Sequence, residues 1–136
     1  MQDPRFVSEP SARQLPDQLT AVGPGWHPLL LRLHEQLLAV DPDYQVDRLT
    51  EKFGVLRVNT VSTSATSSGE MADLIASAEE RSAVTCEFCG GSGRGRRRSH
   101  AALGWIKTVC DTCHTAWSHH AVMIVHGEVR HRLPPR

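Results

Sequence analysis

Cys86-Glu87-Phe88-Cys89 and Cys110-Asp111-Thr112-Cys113 are two C-x₂-C pairs separated by twenty residues, and they contain all four cysteines of the chain. Two thiolates at this spacing can reach one ion, and two such knuckles supply the four sulfurs of a structural Zn²⁺ site. Disulfide pairing is the competing reading. A Cys₄ site is closed, leaving no position for a substrate or a reactive water. The expectation is one structural zinc ion on Cys86, Cys89, Cys110 and Cys113, with function residing in the surface that the metal-held fold displays.

Between the knuckles lies a Gly- and Arg-rich run, Gly90 to Arg98, followed after a short gap by Trp105-Ile106-Lys107-Thr108-Val109. Arg94, Arg96, Arg97, Arg98 and Lys107 are the candidates for contact with a polyanion, because guanidinium groups grip phosphate oxygens as a fork. Two other readings apply to the same run: a solvated charge cluster, or docking against the acidic half of the chain. Trp105 and Trp117 have flat faces for stacking on bases, yet a small metal module has few apolar residues, so both are expected in its core. His100, His114, His119 and His120 are the histidines with a conceivable chemical role. Their spacing departs from the i, i+4 pattern of two ligands on one helix face.

The elements that must position these residues follow from periodicity and punctuation. Residues 1–25 carry Pro4, Pro10, Pro16 and Pro24 without sustained periodicity and read as a mostly unstructured arm whose apolar residues could still dock. Pro28 opens a helix with Leu30, Leu33, Leu37 and Val40 on one face, ended by Asp41-Pro42-Asp43. Tyr44 to Val61 reads as two strands turning at Lys52-Phe53-Gly54. Ser67-x-x-Glu70 is a capping-box pattern that starts a second helix bearing Met71, Leu74, Ile75 and Ala78. A hairpin between the knuckles and a helix or strand after the second complete the chain. The fold class is therefore α+β: an αββα body over 26–82, a treble-clef or zinc-ribbon-like Cys₄ module over 83–125, and a basic tail over 126–136.

A chain of 136 residues supports one modest core or a small domain with a metal-stapled module. Fifteen Lys/Arg balance fifteen Asp/Glu, but residues 1–80 hold six cations against twelve acids, whereas 81–136 hold nine against three. Such asymmetry points to a polyanion, an acidic partner, or contact between the halves. No stretch reads as a signal peptide or approaches the ~20 apolar residues that span a bilayer. Metal-bound thiolates suit a reducing compartment, so a cytoplasmic setting is expected, with no membrane partner and no evident small-molecule substrate.

Cys86-x-x-Cys89, a histidine on the intervening segment and Cys110-x-x-Cys113-His114 resemble the zinc-containing HNH endonucleases. That likeness implies His100 as base and His114 or His119 as metal-binding histidine. The intervening segment is shorter than in that family, and residues 90–109 contain no asparagine for the middle letter. A second resemblance covers about residues 26–113. Gly25-Trp26-His27-Pro28-Leu29-Leu30, Asp41-Pro42-Asp43-Tyr44, Glu51-Lys52-Phe53-Gly54-Val55-Leu56-Arg57 and Gly104-Trp105-Ile106-Lys107-Thr108-Val109-Cys110-Asp111 are similar to short uncharacterised proteins of phages, prophages and bacterial genomes. Those usually carry a second glycine and an aromatic-rich strand where this chain has Val55 and Val58-Asn59. The likeness implies a shared α+β plus zinc architecture and a mobile-element or host-interaction role.

Together these readings lead to a non-catalytic, zinc-stabilised binding protein that contacts nucleic acid through a basic loop. A protein-interaction adaptor or inhibitor is the alternative, and a degenerate HNH-like nuclease the third.

Overall fold

A computed structural model describes residues 13–61, 65–98 and 105–132. Helix α1, His27–Val40, places Leu29, Leu30, Leu33 and Leu37 on its buried side, as the leucine spacing requires. It stops where Asp41 turns extended before Pro42, and the Asp41 carboxylate accepts from the Asp43 N–H at 3.0 Å. Strands β1, Gln45–Lys52, and β2, Val55–Val61, form an antiparallel hairpin with a bulge between Val46 and Arg48. Phe53 and Gly54 make its two-residue turn, both at positive φ (55° and 81°).

Helix α2, Ala65–Ser82, begins two residues before the expected capping serine, so Ser67 lies within its first turn rather than at its cap. Val46, Leu49, Leu56 and Val58 from one face of the hairpin join the α1 leucines and Met71, Ile75 and Ala78 of α2 in one buried cluster. The outer edge of β2 is closed by α2 side chains. Ser82 Oγ accepts the Leu56 N–H and Glu79 Oε2 the Val58 N–H, both at 3.0 Å.

The segment before α1 is ordered from residue 13, in contrast to the arm expected over 1–25. Leu15–Ala21 and Pro24–Trp26 are 3₁₀ helices, with Leu15, Val22 and Trp26 buried in the main core. Tyr44 holds this segment: its hydroxyl accepts the Leu15 N–H at 3.2 Å and is hydrogen-bonded to His34 Nδ1, while Gln14 Nε2 donates to the Pro42 and Tyr44 carbonyls. The prolines suit short 3₁₀ turns, and the scattered apolar residues lacked periodicity because each enters the core singly. The proposed arm's residues 1–12 lie outside the described residues.

Beyond α2, strands β3, Arg94–Arg97, and β4, Ile106–Val109, pair antiparallel, with Arg97 opposite Ile106 and Arg94 opposite Val109. Helix α3, Asp111–Ser118, follows the second knuckle. A third hairpin then joins β5, Val122–Val125, to β6, Glu128–His131, so residues expected as a basic tail from 126 are a paired strand up to 131. His126 and Gly127, at φ 51° and 77°, make its two-residue turn. Cys86, Phe88, Val109, Trp117 and Val122 form a second, smaller core. No helix among the described residues is long and apolar enough to cross a membrane.

Candidate metal centre

Local geometry brings each cysteine inward by hydrogen bonds that are complete within each knuckle. In the first, the Cys86 N–H donates to Gly91 O at 2.7 Å, the Gly90 N–H to Cys86 O at 2.9 Å, and the Gly91 N–H to Cys89 Sγ at 3.4 Å. Gly90 adopts φ 82°, the left-handed conformation that turns the chain back at this point. In the second, Cys110 is the N-cap of α3 and its sulfur accepts the Cys113 N–H at 3.4 Å. The helix N-terminus thus faces a sulfur with partial positive charge.

The four Sγ atoms lie within 4.8 Å of one another, a cluster that can hold a metal ion. Cys89 and Cys110 Sγ are 3.7 Å apart, far beyond a disulfide's ~2.05 Å. Cys86 is buried and Cys89 exposed, so the cluster sits at the edge of its small core. Burial, followed by the neighbouring sulfurs of Cys110 and Cys86, pushes the Cys113 thiol far up from its usual range. Four sulfurs in this volume repel one another as thiolates, and a dication removes that repulsion.

Glu87, between two of the cysteines, is the residue that the sequence reading missed. Its side chain is 2 % exposed and bonds in two directions: Oε2 accepts the Gly23 N–H at 2.9 Å and Oε1 accepts Lys107 Nζ at 3.0 Å. Its backbone carbonyl accepts the Gly25 N–H at 2.8 Å and its N–H donates to Thr108 O. Gly25 is indispensable here, because a Cβ would lie 2.0 Å from the Cys86 carbonyl. Trp26 completes the seam by donating Nε1–H to the Thr85 carbonyl at 2.8 Å. A carboxylate flanked by cysteines carries no sequence signal of burial, since its partners lie 20 and 64 residues away.

The five nominated cations fall into different surroundings. Lys107 is turned inward, between Glu87 and, at 3.7 Å, Glu51. Burial raises the Glu51 carboxyl above its usual range, with Lys107 partly offsetting this. The acidic body therefore meets the basic module through Lys107 rather than through the arginine run. Arg96 pairs with Asp111 at 2.7 Å, and Arg98 stacks 4.9 Å over the buried Trp117 ring. Arg94 and Arg97 remain exposed, with no ion-pair partner among the described residues.

Trp117 is in the core as expected, whereas Trp105 is 77 % exposed, contrary to expectation. The Lys107 and Val109 side chains face the knuckles from β4, and Trp105 lies just outside that short paired stretch. His114 Nε2 donates to the Arg97 carbonyl at 2.9 Å and thereby ties α3 to β3. His119 and His120 are exposed at the end of α3, and His100 lies outside the described residues. No family model, curated protein or solved structure matches the chain.

Proposed function

We propose that this chain is a zinc-stabilised, non-catalytic binding protein that contacts nucleic acid, and that the ion is architectural. The observation that carries the reading is the four-sulfur cluster. Tetrahedral ligands about 2.3 Å from Zn²⁺ stand about 3.8 Å apart, close to the Cys89–Cys110 separation of 3.7 Å. All four positions are then taken by protein, and the His114 ring is engaged by a backbone carbonyl rather than offered to a second metal.

A treble-clef-like description is supported by the order of parts: knuckle, β3–β4 hairpin, then a knuckle whose cysteines open α3. The proposed kinship with short phage and bacterial proteins rests on the motifs spread over residues 26–113. Nucleic acid is favoured as partner because Arg94 and Arg97 project unpaired from a hairpin rooted at the metal site. The free thiolates that such a site requires fit a reducing, cytoplasmic compartment.

Native mass spectrometry should find one Zn²⁺ per chain, and replacing Cys113 by serine should abolish stoichiometric binding. Single- and double-stranded DNA and RNA titrations over a salt series should show affinity falling with salt. Affinity independent of salt, or absent for every nucleic acid, would remove the polyanion reading.

A further inference from the structure

We propose that the solvent face of the β1–β2 hairpin, its Phe53 tip and Trp105 form a binding surface for single-stranded nucleic acid. Phe53 and Trp105 stack bases while Arg48, Lys52 and Arg57 neutralise phosphates. The inference deepens the nucleic-acid reading above and rests on it, but places the contact on the body rather than on the arginine run.

Strand alternation puts Arg48, Thr50 and Lys52 of β1 opposite Asn59, Arg57 and Val55 of β2 on the face away from the core. The paired positions of that face hold three cations and no carboxylate, although the first eighty residues carry a twofold excess of acids. Glu51 points to the other side, toward Lys107, whereas Asp47, unpaired at the bulge beside Arg48, is exposed and borders the same pocket as Arg57 and Asn59, at the end of the hairpin away from the Phe53 turn. None of the three cations has an ion-pair partner among the described residues. Lys52 Nζ lies 5.9 Å from the centroid of the Phe53 ring.

Phe53 is a poor choice for the fold. It is 69 % exposed and occupies the first central position of a two-residue turn at φ 55°, where asparagine or aspartate is favoured and a bulky side chain is strained. Packing offers no compensation at that exposure. Trp105 is the other exposed aromatic among the described residues; Trp26, Tyr44, Phe88 and Trp117 are all 5 % exposed or less.

The two rings belong to one place. Thr108 Oγ1 donates to the Gly54 carbonyl at 2.6 Å, and a Cβ on Gly54 would lie 3.2 Å from Ile106 Cγ2. Phe53 and Trp105 each adjoin a residue of that contact, so their Cα atoms are within about 15 Å by chain geometry. Paired bases present no free faces to such rings, whereas every unpaired base does, which favours single strands over duplexes.

The test uses the intact, metal-loaded chain with fluorescein-labelled oligo(dT) and oligo(U) of about 12 nucleotides, a duplex of equal length, and polyglutamate as a non-nucleic polyanion. Phe53→Asn should raise the melting temperature yet weaken single-strand binding roughly 5- to 150-fold, and Trp105→Ser should weaken it comparably. Both should leave duplex binding nearly unchanged. The triple variant R48S/K52S/R57S should flatten the log-affinity against log-salt slope by about 2. Trp105 emission should quench on oligonucleotide addition.

Unchanged single-strand affinity in the ring variants, equal loss on duplex, or polyglutamate binding as tight as oligo(dT) would overturn the proposal. Loss confined to R94S/R97S would overturn it while sparing the broader nucleic-acid reading. A wild-type chain that binds no nucleic acid would defeat both.

Discussion

Glu87 joins three parts of the molecule through one side chain and one peptide unit, receiving Gly23, Gly25 and Lys107 while donating to Thr108. Removing the carboxylate leaves the buried Gly23 N–H without its acceptor and Lys107 with only the longer contact to Glu51, and losing one partner of a largely buried pair is damaging. Glu87→Ala is expected to lower stability by about 3 kcal/mol in chemical denaturation, and Glu87→Gln by less, because the amide oxygen can still accept from Gly23. Tyr44, the single tyrosine, provides a pH signature at the same scale. Burial pushes its phenol up to about 12. The folded state then holds a proton that the unfolded chain releases near pH 10, so stability is lost as pH rises from 10 toward 12, by about 1.4 kcal/mol per unit. Absorbance of tyrosinate followed with denaturation should show this slope, and Tyr44→Phe should remove it.

At the scale of elements, the β1–β2 and β5–β6 hairpins differ in what their turns do. The Phe53–Gly54 turn seats on β4 and presents an aromatic ring, whereas the His126–Gly127 turn packs against the first 3₁₀ helix, where a Cβ on Gly127 would come 2.7 Å from Thr20 Cα. Gly127 was the available signal for β6, since a left-handed pair between two short β-favouring runs is how a two-residue hairpin reads. Two glycines in other elements separate close approach from mere presence. Gly25→Ala drives a methyl into the Cys86 carbonyl and is expected to destabilise the protein by about 3 kcal/mol. Gly69→Ala, within α2 and with nothing inside 4 Å, is expected to stabilise it by about 0.5–1 kcal/mol. Thermal melts of the two variants should shift in opposite directions.

For the whole molecule, the two cores are not independent. The seam of Gly25 to Glu87, Trp26 to Thr85, Thr108 to Gly54 and Lys107 to Glu51 couples the metal knuckles to the helical body. Chelation is therefore expected to loosen both, with the buried Trp26 reporting the body. A single melting transition that moves down as zinc is withdrawn, and recovers on adding Zn²⁺, is the expected behaviour. Two separate transitions, with Trp26 fluorescence unmoved by chelator, would show that the seam transmits little.

The amino-acid order by itself determined what is repeated locally: the paired C-x₂-C spacing, the leucine face of α1, the Gly54 turn and the uneven charge. These are legible because ligand spacing, helical period and turn conformation depend on residues close along the chain. Tertiary structure alone decided which charges remain available. Lys107, a candidate for a polyanion, became an internal cross-link, and Glu87, without any local mark, became its buried partner. It also decided that Trp105 stays outside while Trp117 goes in, and that the acid-rich half turns Arg48, Lys52 and Arg57 to solvent on one hairpin face. Whether a charge or a ring is buried depends on residues tens of positions away, and composition averages over both faces of a strand.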